Sequence, residues 1–285
     1  IPMRKVLLPL CILAACAEAP DGLLATPAGD GPVVHFDWDA VPLPEIPFPN
    51  DLATRPDATS PTGLRLNISL EAPTRFEKHS REAINEMTGF GIYAPIAVAF
   101  DDRLDLDNVI ARHRDDSRPW PEQHDDDAFF VIDVTPTSPT YLEPVQLDVG
   151  HGRFPMDSAR SDRYFTNDTR SQEPSVVFDT VDEDLNGNGI LDWVEDTDND
   201  GVLDVPNVYP PDGDPRADLL DWYELQTDTL LMRPVVPLRE ETRYAVVLTQ
   251  RLTGDSGSPV RSPWEWVHHT RQTQALAPLE DACDF

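Results

Sequence analysis

The chain has 285 residues and a mass of 31.9 kDa, room for one large domain or two ordinary ones. Its 40% hydrophobic and 8% aromatic content supplies a core and excludes wholesale disorder. The 22 Lys and Arg against 52 Asp and Glu give a net charge of −30, which excludes a general nucleic-acid binder and suits an anionic lipid surface poorly. The natural charge partner is a cation. With 29 Pro against 14 Gly and no long amphipathic run, β structure with proline-set turns fits better than a helical bundle.

Met3-Arg4-Lys5 is a short positive region and residues 6–14 are apolar, too short a stretch for a permanent membrane helix; residues 1–15 therefore read as a signal peptide, with Ile1-Pro2 preceding the initiator. The stretch ends Leu13-Ala14-Ala15-Cys16, which resembles the lipobox of bacterial lipoprotein signals. That resemblance implies cleavage before Cys16 and diacylation of its thiol. Ala17 next to it implies export to the outer membrane, the cell envelope or cell surface. The alternative is an ordinary secretory signal cut near Ala19. A lipid anchor explains how so acidic a chain sits at a membrane, its expected partner. With Cys11 lost with the signal and Cys16 lipidated, Cys283 has no partner, so no disulfide framework is expected.

Residues 16–33 form a Gly/Pro/Ala-rich tether. A first β part is expected over 34–150, an acidic insert over 151–228, and the last β part over 229–285, which reads as truncated. Proline at nearly every second position of 42–49 removes backbone donors and predicts an extended surface segment. Ser80 is the expected cap of a helix over 81–88, ended by Gly89. Residues 92–100, 128–134, 145–149, 230–236 and 243–249 read as strands, rich in Val, Ile, Phe and Tyr between Pro, Gly and Asp turns. Such spacing predicts a mainly β fold, an Ig-like β-sandwich with one or two short helices.

The runs Ile46-Pro47-Phe48-Pro49-Asn50-Asp51-Leu52, Gly89-Phe90, Ala94-Pro95-Ile96 and Tyr244-Ala245-Val246-Val247-Leu248-Thr249 resemble the N-terminal region of bacterial virulence-factor lipases. Asp101-Asp102-Arg103-Leu104-Asp105 and the stretch 252–260 resemble bacterial Ig-like surface domains. The resemblance covers roughly 34–150 and 229–270 and implies an Ig-like part that precedes an α/β-hydrolase. No Gly-x-Ser-x-Gly elbow is present, so no catalytic residue is assigned.

From Asp179 to Asp228 the only basic residue is Arg216. Within this run Asp184-x-Asn186-x-Asn188-Gly189-Ile190-x-Asp192-x-x-Glu195 matches the 12-residue calcium loop, with side-chain oxygens at positions 1, 3, 5, 9 and 12, Gly at 6 and a backbone carbonyl, from Ile190, at 7. Leu191 is the apolar residue expected to pin the loop. A second copy follows without a spacer: Asp196, Asp198, Asp200, Gly201, Val202 through its carbonyl, Asp204, and Asn207 where a bidentate Glu is usual. Alternating hard oxygens around a glycine turn suit Ca2+, expected here as two ions, better than Mg2+. Pro206 leaves no room for flanking helices, and the tandem loops resemble thrombospondin type 3 repeats rather than intracellular sensors. Asp212-Gly213-Asp214 reads as a plain turn before a short helix over 217–226, with Leu219, Leu220 and Tyr223 on its buried face.

Gly254-Asp255-Ser256-Gly257-Ser258-Pro259 resembles the nucleophile segment of chymotrypsin-like proteases, but no His in a matching setting accompanies it and turn geometry explains the same residues. His268-His269 and His151 carry no metal assignment; adjacent residues of a strand point to opposite faces. The sequence thus predicts a non-catalytic, lipid-anchored surface module with structural calcium. The alternative is the N-terminal domain of a surface lipase or esterase.

Overall fold

The computed structural model describes residues 22–41, 43–114, 124, 126–150, 178–197, 199, 201–215, 217–267 and 270–283. In chain order its elements are β1 (Leu24–Ala25), a 3-10 turn (Asp51–Ala53), β2 (Thr54–Pro56), β3 (Leu64–Leu66), α1 (Arg75–Ile84), β4 (Ile96–Ala99), α2 (Leu106–His113), β5 (Phe129–Asp133), β6 (Leu147–Asp148), β7 (Tyr223–Glu224), β8 (Thr229–Pro234), β9 (Tyr244–Leu248), β10 (Trp266–Val267) and α3 (Thr270–Cys283). The protein is mainly β with a few short helices. Every described strand pair is antiparallel.

The five apolar runs of the sequence all become strands; four are trimmed at both ends, and β8 begins one residue early and ends two early. β8 is the hub: it pairs with β4 through Ile96 opposite Met232, with β6, and with β7 through Tyr223 opposite Leu230. β5 and β9 form a separate two-stranded sheet, from Phe129 opposite Leu248 to Asp133 opposite Tyr244. β2–β3 is a hairpin, and β1–β10 brings the described start of the chain to residues 266–267. Among its described residues the proline-rich stretch forms no strand and touches the edge of β4 at one residue, where Phe48 and Ala97 exchange backbone hydrogen bonds of 3.0 and 2.7 Å.

One apolar core joins the two sheets. Val98 on β4, Val109 on α2, Phe129 and Val131 on β5, and Leu230 and Met232 on β8 pack with Trp222, Tyr223, Leu104 and Leu252. Each such side chain contributes about 1.5–3 kcal/mol on burial. β5 is buried along its whole length because its alternate residues serve two cores. Phe130 and Ile132 turn away from Phe129 and Val131 to meet Cys283, Leu279 and Ala282 of α3. A strand covered on both faces reads as a continuous apolar run, which is how 128–134 looks in sequence.

Three helical expectations change. The helix expected over 81–88 is α1, which starts nearly two turns earlier, because Thr74 caps it by accepting the Glu77 amide at 3.1 Å, while Ser80 sits in mid-helix and donates to the Phe76 carbonyl. The helix expected over 217–226 does not form: turns lead into β7, and Val208 bridges to Leu219. Leu220 and Tyr223 are buried there as expected, through strand pairing rather than a helical face. α2 and α3 stand where no helix was expected; Asp105 caps α2 by accepting the Asn108 amide at 2.9 Å.

Candidate metal centre

Between β6 and β7 the chain folds back on itself through carboxylates. Asp184 accepts the backbone amides of Asn188 at 2.8 Å and Gly189 at 2.9 Å, and its own carbonyl accepts the Gly187 amide at 3.1 Å. Gly187 and Gly189 sit at φ 70° and 69°, with nothing near enough to oppose a side chain. Backbone conformation, not space, is what calls for glycine at these two positions. Asn188 turns its Oδ1 onto the Ile190 amide at 2.7 Å.

The far end of the loop closes on Glu195, only 3% exposed. Its Oε2 accepts the Asp192 amide at 3.1 Å, and its Oε1 accepts from Asn186 Nδ2 at 3.0 Å. The same Asn186 nitrogen donates to Asp192 at 3.1 Å, so one amide bridges two carboxylates. Asn186, Asp192 and Glu195 are thus brought together, while Asp184 and Asn188 hold the opposite turn. Ile190 and Val202 present their side chains to solvent. Leu191 is half-buried, and Trp193 is 90% exposed.

In the second loop Asn199 and Gly201 adopt φ 65° and 82°. One oxygen of Asp196 is buried with no hydrogen-bond partner among the described residues. Asp198 and Asp200 lie outside the described residues, as do Cys16 with the signal and the first residues of the tether, His151 and the pair His268-His269. Asn207 behaves differently from the ligand expected at the loop's last position. Buried to 2%, it donates Nδ2 to the Leu220 carbonyl at 2.5 Å and the Tyr223 carbonyl at 2.8 Å, and its Oδ1 accepts the Leu225 amide at 2.8 Å. Its side chain is a strut between the loop and β7.

Sequence reasoning missed Glu183. It is wholly buried, and its carboxylate accepts the Thr197 amide at 2.5 Å, the Thr197 hydroxyl at 2.8 Å and the Asp204 amide at 3.3 Å. Its own amide donates to the Asp204 carbonyl at 3.0 Å. Glu183 therefore fastens the start of the first loop to the second. Its only trace in the sequence is one more acid beside Asp184, because the burial arises from the later chain folding back over it.

Among the described residues no three His, Cys, Asp or Glu side chains gather closely enough to hold an ion together. Asp184 is turned to the amides of its own loop while Asp192 and Glu195 share Asn186. The donor set itself is all oxygen apart from that one amide nitrogen, which suits a hard cation.

Other charged clusters have structural partners. Tyr223 donates its hydroxyl to Asp228 at 3.0 Å and accepts the Leu104 amide at 3.2 Å; burial first, then Asp228, pushes the phenol up. Burial also raises the Asp228 carboxyl, against the pull of Tyr223 and Arg103. The 254–259 segment is a tight turn in which Gly254 takes a 3.0 Å bond to the Ser258 carbonyl and Gly257 adopts φ 75°. Among the described residues no helix is long and apolar enough to cross a membrane. No protein-family model, curated protein or solved structure matches the chain.

Proposed function

We propose that the chain is a calcium-binding module of a bacterial surface lipoprotein, anchored through a lipid on Cys16 and built as an Ig-like β-sandwich with tandem Asp/Asn loops. The observation that carries this reading is the closure of the first loop: Asp184 caps the glycine turn while Asn186, Asp192 and Glu195 meet at the other end. A half-turn of the Asn186 amide presents its oxygen, in place of its nitrogen, to the two carboxylates it bridges. That orientation is favourable only with a cation between them. Asp184, Asn186, Asn188, Asp192, Glu195 and the Ile190 carbonyl then supply the oxygens for one ion. Asp196, with the buried oxygen described above, Asp198, Asp200, Asp204 and the Val202 carbonyl supply those for a second. Asn207 drops out of the ligand set and serves as the strut described above.

Calcium here is structural. It offsets the mutual repulsion of carboxylates in a chain of net charge −30 and stiffens a segment that has few buried apolar side chains. The test is Tb3+ luminescence on the full chain, sensitised by Trp193 within the first loop. Saturable emission is expected, displaced by Ca2+ with Kd of about 10⁻⁴–10⁻³ M as in extracellular modules, and lost in Asp184→Ala. Flat emission, or emission indifferent to Asp184→Ala, overturns the reading.

A further inference from the structure

A groove of about 800 Å3 runs between the Pro47–Asp51 stretch, the β2–β3 hairpin and β9. Its apolar lining includes Phe90, Ile92 and, on β9, Tyr244, Val246 and Leu248. Among the described residues β9 pairs with β5 alone. The bonds from the Thr249 amide to the Ala128 carbonyl and from the Val134 amide to the Arg243 carbonyl fix the alternation of that ladder. Ala245 and Val247 spend their backbone groups on β5, so Tyr244, Val246 and Leu248 direct theirs to the opposite edge. Among the described residues no chain pairs with that edge. Val246 is 39% exposed, and the stretch Tyr244–Leu248 carries none of the Lys, Pro or bulge devices that usually guard an open strand.

Charge distinguishes the groove from the rest of the molecule. Arg65, Arg239 and Arg243 line it against Asp51 and Glu241, in a chain where acids outnumber bases by 52 to 22. Arg65 is engaged by Asp57 at 2.5 Å, but Arg243 reaches Asp51 only at 3.9 Å with both side chains largely in solvent. The opposite wall offers Pro47 and Pro49, which have no amide to give, so β9 is the side of the groove with a ladder to extend.

We propose that the open edge of β9 docks an extended segment of a partner protein as an added strand, its apolar side chains entering the groove and a carboxylate meeting Arg243. Outward N–H and C=O groups repeating along Tyr244, Val246 and Leu248 match a second peptide backbone and no small anion in series. A second copy of this chain is a poor occupant, since two bodies of charge −30 repel and would bring like arginines together.

The test uses the full, isotopically labelled chain and a short synthetic peptide that alternates valine with threonine or glutamate. With peptide about tenfold above its Kd, amide exchange at Val246 and Leu248 slows about tenfold, while Ala245 and Val247 keep the protection they have from β5. Val246→Pro removes one outward donor without touching the β5 ladder and abolishes that response; Arg243→Glu weakens it most at low salt. Where Val246→Pro strips protection from Ala245 and Val247, the sheet itself is lost, and a peptide N-methylated at its bonding amides serves instead and is expected not to bind. Equal binding of the N-methylated peptide overturns the proposal in favour of a small apolar site. Slow exchange of Val246 in the free chain overturns it as an edge already covered. Protection that grows with protein concentration alone overturns it in favour of self-association.

Discussion

All five residues of β5 are buried, whereas Leu185, Ile190, Trp193 and Val194 in the first acidic loop all stand in solvent. The same side-chain chemistry is spent in opposite ways on the two regions. In the sheets, apolar residues are removed from water and the backbone is satisfied by strand pairing. In the loops, the buried groups are Glu183, Glu195 and Asn207, and backbone groups are met by carboxylates and by the side-chain amides of Asn188 and Asn207. A short acidic segment cannot bury enough surface to hold itself by hydrophobic contact, so its order depends on charged hydrogen bonds and on whatever neutralises them.

The largest expected effect breaks the β side alone. Trp222→Ala empties a fully buried position of the main core and is expected to cost about 3–5 kcal/mol in urea unfolding, by the same amount with and without Ca2+. Equal loss under both conditions keeps the two regions energetically distinct; a loss that Ca2+ repairs merges them. Asp221→Ala comes close behind. It removes the carboxylate that meets the Arg233 guanidinium at 2.7 Å, with both side chains mostly buried, at a cost of up to about 3–5 kcal/mol.

On the loop side, Glu183→Ala withdraws a buried carboxylate from three donors and is expected to cost about 1.5–3 kcal/mol in the same assay. Unlike Trp222→Ala, it also weakens Tb3+ emission, because the two loops lose their common fastening. Unchanged emission would show that each loop holds its shape alone.

Smaller effects follow from ionisation. Burial pushes the Asp133 carboxyl up, but hydrogen bonds from Ser138, the Thr135 amide and Thr140 together outweigh it and hold the group below its ordinary 3.8. The folded state therefore favours the ionised form. That stabilisation is complete above the unfolded value and is lost as pH falls below it. Asp133→Asn is expected to flatten the acid side of the stability profile, whereas Asp228, raised by burial, contributes with the opposite sign. Smallest of all is Cys283. Burial pushes its thiol up to about 11, with Arg251 pulling the other way, so the protonated form is favoured and its contribution fades only as pH rises through that value. Thiol labelling at neutral pH is expected to wait for α3 to leave β5, which times the opening of that helix.

What the sequence made legible was what local pattern controls. The apolar runs at 128–134, 230–236 and 243–249 mark β5, β8 and β9, and the glycine register marks the turns at Gly189 and Gly201. The start of α1 was also there to read, in the capping pair Thr74 and Glu77, yet Ser80 drew the helix start nearly two turns too late. α3 was not legible: Pro278 lies inside it, and its burial depends on Phe130 and Ile132 far upstream. Asn207 fits a ligand pattern by spacing, and only the arrival of residues 220–225 beside it reveals a strut. Long-range partners decide these cases, and no window of sequence contains them.

The pairing of Ile96 with Met232 has a further consequence, for the order of events as the chain emerges. β4 must wait for β8 until most of the chain has been made, whereas the side-chain hydrogen bonds that close the first loop on itself lie between Asp184 and Glu195. Loop closure over so few residues is fast, and long-range strand pairing is slow. The acidic loops are therefore poised to take shape first. The sheet then closes around a segment whose geometry has been set in advance, with Asn207 in position to receive β7.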